Sequence, residues 1–158
     1  MECGATMSDD QKTDSQTRDL MDAACAAALT AYAPYSGFHV GAAFRFDDGT
    51  VITGSNFENA SYGLAICAET AAAIVANLQG RRTGLVEVAI MGGPLGEDGA
   101  LAPTAAPVTP CGRCRQVMNE LAQLGGTDPV VYSGHATGWI EHRLSVLLPA
   151  AFGPANLE

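Results

Sequence analysis

Two cysteine motifs far apart in the chain, Cys67-Ala68-Glu69 and Pro110-Cys111-Gly112-Arg113-Cys114, constrain the fold most, because three thiols form one metal site only where the fold joins both segments. Cys111 and Cys114 stand three apart, which puts them on one face of a helix. Pro110 fits just ahead of that helix, where its missing N–H costs little. Three protein ligands leave the fourth position of a tetrahedral zinc open for water, and Glu69, two residues beyond a ligand, can reach that water without binding the metal. A lone Cys-x-x-Cys would equally suit a redox motif or half of a zinc knuckle. A closed structural site would need Cys3 or Cys25 as fourth ligand, and neither has a partner at ligand spacing.

Composition narrows the class. With 158 residues and 47% hydrophobic content the chain suffices for one compact domain, whereas two independent cores would each be marginal. A formal net charge of -9 offers no footprint for a nucleic-acid backbone, which draws on clustered Lys and Arg, so a free small molecule is the expected partner. Five cysteines, an odd number without an apolar leader segment, point to a reducing cytoplasm, and no apolar run approaches the roughly 20 residues that cross a bilayer. Cys25 lies among alanines and reads as a small core residue; Cys3 reads as a tail thiol.

Periodicity supplies the elements. Residues 1–13 lack apolar spacing and read as a disordered or expression-derived tail, leaving 14–158 as the single domain. Asp14 or Ser15 can cap a helix to about Tyr32, with Leu20, Ala24, Ala27, Ala28 and Ala31 as its apolar stripe and Pro34 as its stop. Val40 to Phe46 and Val51 to Ser55 flank Asp47-Asp48-Gly49, a hairpin signal. Cys67 to Leu78 is an alanine-rich helix closed by Gly80, and Leu85 to Met91 is an apolar strand. Residues 92–110 are rich in Gly, Pro and Ala and form a surface loop. Cys111 to Leu124 is the second metal-bearing helix, Val130 to Tyr132 and Trp139 to His142 are strands, and a short turn or helix begins at Ser145. Helices alternating with a mixed sheet give a three-layer α/β/α domain. His39, His135 and His142 have no ligand spacing and read as structural or solvent-facing.

Four further blocks accompany the cysteine motifs: Tyr32-Ala33-Pro34-Tyr35-Ser36-Gly37-Phe38, Val40-Gly41-Ala42-Ala43, Asn56-Phe57-Glu58-Asn59-Ala60-Ser61-Tyr62-Gly63, and Leu147-Leu148-Pro149-Ala150-Ala151-Phe152-Gly153-Pro154. With them the chain resembles the cytidine deaminases of the small, homotetrameric, all-cysteine type, in family order from about Asp14 to the C-terminus. The loop 92–109 is longer than that family usually carries. The resemblance implies a mixed five-stranded sheet flanked by helices, one Zn²⁺ per subunit on Cys67, Cys111 and Cys114, and hydrolytic deamination of cytidine and 2'-deoxycytidine in pyrimidine salvage. Glu69 would then take the water's proton, pass it to N3 of the pyrimidine, and finally protonate the leaving amine.

The same resemblance assigns the substrate contacts. Asn56 and Glu58 match the pair that binds the ribose 3'-hydroxyl, Phe38 the aromatic that packs on the base, and the Ala68 N–H the donor to the base O2, with Tyr35 as a weaker pocket residue. Without the surrounding block, Asn56 and Glu58 would read as an ordinary turn and Phe38 as core. Tyr62 and Phe152 match segments that reach a neighbouring subunit's active site, so a homotetramer with shared sites is implied, with no nucleic acid or membrane partner. Arg115-Gln116 would support the metal helix from behind.

One departure stands out. Three thiolates leave a Zn²⁺ centre at formal charge -1, which weakens it as a Lewis acid unless positive charge lies nearby. Helix N-termini supply part of that charge. Relatives often carry Arg directly after the glutamate, where this chain has Thr70, and Arg113, between the paired cysteines, is the residue placed to compensate; a solvated surface arginine would look the same. Deaminases of modified aminopyrimidine nucleosides such as blasticidin S share both the missing Arg and the Cys-Gly-Arg-Cys, and form the alternative substrate class. A non-catalytic zinc-stabilised protein is disfavoured by the intact Glu69 and by only three good ligands.

Overall fold

A computed structural model describes residues 9–157, with side chains from Asp14 onward; Met1 to Ser8, and Cys3 with them, lie outside the described residues. Eleven elements follow in chain order, of which nine are regular helices or strands: α1 (Asp9–Ala28), β1 (His39–Phe46), β2 (Val51–Ser55), α2 (Ala68–Leu78), β3 (Leu85–Gly93), α3 (Gly112–Gly125), β4 (Val130–His135), β5 (Gly138–Arg143) and α4 (Leu144–Leu147). Short 3₁₀ turns at Tyr62–Leu64 and Pro154–Asn156 complete the set.

The five strands form one mixed sheet in the order β2-β1-β3-β4-β5, as expected. Only β3 and β4 run parallel, in register Glu87↔Val130 to Ile90↔Ser133, and α3 makes the crossover between them. The β1–β2 hairpin turns at Gly49, whose φ of 84° is the left-handed conformation that glycine adopts without strain.

Alternation along the strands sorts the core into two layers. Ala42, Phe44, Phe46, Val88, Ile90 and Val131 face α2 and α3, while Ala43, Ala89, Met91 and Tyr132 face α1. Small residues let the layers close. A Cβ on Gly41 would lie 1.9 Å from the Ala24 carbonyl oxygen of α1, and one on Gly54 would lie 2.3 Å from the Ala72 nitrogen of α2. Each helix backbone therefore rests directly on a strand. Arg45 and Glu87 pair across β1 and β3 at 2.6 Å, Tyr132 Oη donates to Glu87 at 2.9 Å, and Arg45 also donates to the Gln16 carbonyl of α1 at 2.6 Å. These polar bonds register α1 against the sheet where its apolar stripe ends.

Boundaries differ most from expectation at α1, β3 and β4. α1 begins at Asp9, so residues 9–13, read from sequence as tail, continue the helix; neither Gly nor Pro interrupts them. It ends at Ala28 rather than Tyr32, because Thr30 turns back onto the Ala27 carbonyl through both its N–H and its hydroxyl. β3 and β4 run past their expected ends to Gly93 and His135 because the strands flanking them supply acceptors and donors. The loop after β3 is tied down at its return: Thr104 N donates to Gly92 O, Ala136 N to Thr104 O, and Val108 N to Gly134 O. Val108 packs on the core and Pro110 is fully buried.

Gly41→Ala is expected to destabilise the fold by about 3 kcal/mol, since the clash is with helix backbone. Gly49→Ala meets only the left-handed backbone penalty of about 1 kcal/mol. Urea midpoints of the two variants test this order.

Candidate metal centre and adjoining cleft

α2 and α3 start at the same place. Cys67 is the N-cap of α2 and Cys111 the N-cap of α3, both with extended backbone, and Cys114 sits in the first turn of α3. The sequence placed Cys67 inside its helix; it stands one residue ahead. The three Sγ atoms all lie within 4.8 Å of one another, and Cys67 and Cys111 are 3.9 Å apart although 44 residues separate them. Three sulfurs around a tetrahedral zinc, each about 2.3 Å from it, stand about 3.8 Å apart, so the donor set fits that ion. Among the described residues no other group of His, Cys, Asp and Glu has ligand spacing.

Burial is graded across the cluster: Cys114 is fully buried, Cys67 half-buried and Cys111 exposed. The Cys67 thiol is lowered to about 6, chiefly by the hydrogen bond from Cys114, with Cys111 and the Arg113 guanidinium adding to that pull against burial. The bond to Cys67, burial and the nearby Glu69 charge all push the Cys114 thiol up. The first-turn N–H groups of both helices have no intrahelical acceptors, and the positive dipole ends at Cys67 and Cys111 favour thiolate, although neither side chain makes a cap hydrogen bond. Thr70, itself buried, places Oγ1 3.6 Å from Cys114 Sγ. Arg113 is exposed, its Nη1 donates to the Ala65 carbonyl at 3.4 Å, and its charge acts on Cys67.

Glu69, 4% exposed, lies on α2 beside the cysteines. Burial raises its carboxyl above the usual carboxylate range, against the pull of its own backbone N–H and of Cys114 toward the anion. A carboxyl in that condition suits a group that must both accept and return a proton.

Cys67, Cys111 and Glu69 line one wall of a cleft of about 240 Å³, together with Val40, Asn56, Glu58, Ala65, Ile66, Ala68, Val108 and Thr109. Ala68 is the first residue of α2, so its N–H is one of the free helix-start donors. A second compartment of about 300 Å³, lined by Tyr35, Ser36, Glu58, Asn59, Tyr62 and Ala65, continues from it through Glu58 and Ala65. Together they fall in the roughly 300–1,000 Å³ range of small-molecule sites.

The polar residues of the cleft are held firmly. Asn56 Oδ1 accepts from Val40 N at 2.8 Å and its Nδ2 donates to Phe38 O at 3.0 Å, which leaves one amide hydrogen and one lone pair for a ligand. Glu58 accepts from the Ser36 hydroxyl and from the Tyr35 and Ser36 N–H groups at 2.9 and 3.2 Å. The Ser36 hydroxyl, then the Tyr35 N–H, hold its carboxyl below the usual range. Tyr35 and Tyr62 face each other at 5.6 Å between ring centroids, and Tyr62 is 75% exposed.

Phe38 and Phe152 do not line this chain's cleft, and Phe152 is expected at a neighbour's site. The half-buried Phe38 ring lies beside Gly92 of β3, next to Val40, and Val40 rather than Phe38 lines the cleft. Phe152 is absent from this chain's cleft; its carbonyl is held by Gln116 and Asn119 on α3, and its ring is 60% exposed. Sequence reading missed Val40, Ile66, Val108 and Thr109. The adjacency of Val108-Thr109 to Pro110-Cys111 was the available signal. The three histidines fall outside the cysteine cluster, as expected, with His135 accepting from Thr137 in a turn.

Comparisons with known proteins agree with this geometry. Residues 14–132 match the family model of the cytidine and deoxycytidylate deaminase zinc-binding region. A cytidine deaminase of Halalkalibacterium halodurans is 46% identical over 129 residues, covering 81% of this chain and 87% of the relative. One from Mycobacterium tuberculosis strain H37Rv is 42% identical over 131 residues, covering 83% and 85%. Among solved structures, the Burkholderia pseudomallei cytidine deaminase superposes with a TM-score of 0.73 at 41% identity, covering 85% of this chain and 98% of that one. The Mycobacterium tuberculosis enzyme superposes at 0.64 with 40% identity, covering 87% and 97%.

Proposed function

The chain belongs to the cytidine and deoxycytidylate deaminase family, and from that premise we propose that it converts cytidine and 2'-deoxycytidine to the uridine nucleosides with release of ammonia, in pyrimidine salvage. The observation that carries this reading is a buried carboxyl, Glu69, beside three convergent cysteines on the wall of one cleft. Cys67, Cys111 and Cys114 would hold the zinc, which when bound supplies a Lewis acid that lowers the pKa of water.

The remaining roles belong to this chain's own groups. Glu69 accepts the water's proton, returns it to N3 of the pyrimidine, and protonates the departing amine; its raised pKa keeps both directions accessible. The Ala68 N–H donates to the base O2. Asn56 and Glu58 hold the ribose 3'-hydroxyl, Glu58 remaining anionic and so repelling a 3'-phosphate. Phe38, whose ring lies with the Val40 side chain near Gly92, packs on the pyrimidine ring. Residues 14–158, with α1 extending back to Asp9, form one catalytic domain.

The ultraviolet absorbance change on adding cytidine to zinc-loaded protein tests the assignment. Turnover is expected, and Glu69→Gln should lose at least about 100-fold in kcat while keeping its zinc. No turnover of cytidine at stoichiometric zinc would move the substrate to a modified aminopyrimidine nucleoside.

Thr70 and Arg113 divide the charge compensation that a single arginine gives many relatives: the Thr70 hydroxyl, 3.6 Å from buried Cys114, would donate to its thiolate, and the Arg113 charge acts on Cys67. Thr70→Val and Arg113→Ala should each speed zinc release to a chelator about tenfold, with Thr70→Ser and Arg113→Lys closer to the parent. Equal, small changes in all four would remove this role.

The chain works as a homotetramer in which Tyr62 and Phe152 complete a neighbour's pocket. Their large exposed side chains, and the further exposed Phe57, Leu64, Ile74 and Leu78, support that arrangement. Sedimentation equilibrium should give four chain masses, and a monomer with full activity would refute it. No helix among the described residues is long and apolar enough to cross a membrane, and the thiol-rich site fits a reducing cytoplasm.

A further inference from the structure

α3 bears two sets of contacts. Its start carries Cys111 and Cys114, and its next turns grip the chain beyond α4. Gln116 Nε2 and Asn119 Nδ2 both donate to the Phe152 carbonyl, at 2.8 and 3.1 Å, and Gln123 Oε1 accepts from Ala155 N at 3.2 Å. Residue 153 fits as glycine, since a Cβ there would lie 2.4 Å from Gln123 Oε1 and 2.8 Å from Asn119 Nδ2. Ala150, with φ of 51°, kinks the chain into this grip.

Arg115 touches both sets. Its Nε donates at 2.8 Å to the carbonyl of Pro110, the residue that leads into Cys111. Its Nη1 donates at 2.9 Å to the carbonyl of Leu147, the last residue of α4. The guanidinium is planar and its donors keep a fixed relation, so a shift of one carbonyl is transmitted to the other. The side chain is half-buried, which limits replacement of either bond by water.

We propose that Arg115 is a positioning residue that couples the cysteine cluster to the C-terminal segment 148–157, so that zinc retention and order in that segment rise and fall together. Coupling between the two is reciprocal: docking the segment sets the Pro110 carbonyl and hence Cys111, and a filled cysteine cluster fixes the start of α3 against which the segment lies. The proposal rests on the reading that the three thiolates hold zinc. It gives the segment bearing Phe152 a second consequence, on the metal of its own chain.

The test uses the zinc-loaded full chain, with zinc release to a chromophoric chelator and hydrogen exchange of amides in 148–157 read together. Gln116 is exposed and touches neither Pro110 nor a cysteine, so Gln116→Ala should fold; it is expected to loosen the segment and to speed zinc release about fivefold. Arg115→Met should raise both rates further, and Arg115→Lys, with a single donor head, should fall between Arg115→Met and the parent. Zinc release unchanged in Gln116→Ala despite a loosened segment, or faster zinc release in Arg115→Met with segment exchange unchanged, would overturn the coupling. Should Arg115→Met not fold, Gln116→Ala and Arg115→Lys decide the question. A parent chain that binds no zinc would overturn the metal reading and this proposal together, whereas bound zinc with uncoupled rates overturns this proposal alone.

Discussion

Three sulfurs that are to be thiolates repel one another, and the fold must hold them within a few ångströms before any ion arrives. It does so by starting two helices at one point: Cys67 caps α2, Cys111 caps α3, and Cys114 lies in the same first turn. The positive dipole ends of both helices lie at the cluster and offset part of its negative charge. The Thr70 hydroxyl stands 3.6 Å from Cys114 Sγ, and the Arg113 charge acts on Cys67. Everything else in the domain serves to keep those two starts together.

The sheet provides that fixture. α2 and α3 lie side by side on the face formed by Phe44, Phe46, Val88, Ile90 and Val131, and their packing sets the separation of their N-termini. The absence of a side chain at Gly54 lets α2 sit on β2, and Gly41 does the same for α1 on the opposite face. Burial this complete also leaves Glu69 poorly solvated, which gives its carboxyl a raised pKa without a dedicated partner. One packing decision thus sets both the metal geometry and the proton affinity of the acid beside it.

The cleft itself depends on the loops between these elements. Glu58 is fixed by the Tyr35-Ser36 turn and Asn56 by the backbone at Phe38 and Val40, so the polar groups of the cleft are held in place before any ligand binds. The long return after β3 brings Val108 and Thr109 to the cleft and then delivers Pro110 to the start of α3. Its length beyond Gly93 goes into an exposed tip closed by the Leu95–Leu101 bridge, while its return half is part of the core.

By itself the sequence determined the elements and the ligand set. Alternation gave the strands, helical spacing gave α1 and α3, and two cysteine motifs flanking a glutamate specified chemistry that needs an open metal position, because these signals lie in local spacing and side-chain type. The tertiary structure decided what depends on distant segments meeting: that Val40 and Val108 rather than Phe38 line the cleft, that Glu58 is already bonded to the turn before it, and that Arg115 joins the metal helix to the chain's end. Helix ends were also settled there, since α1 stops where Thr30 turns back onto Ala27, a choice made by side-chain hydrogen bonding that apolar periodicity does not record.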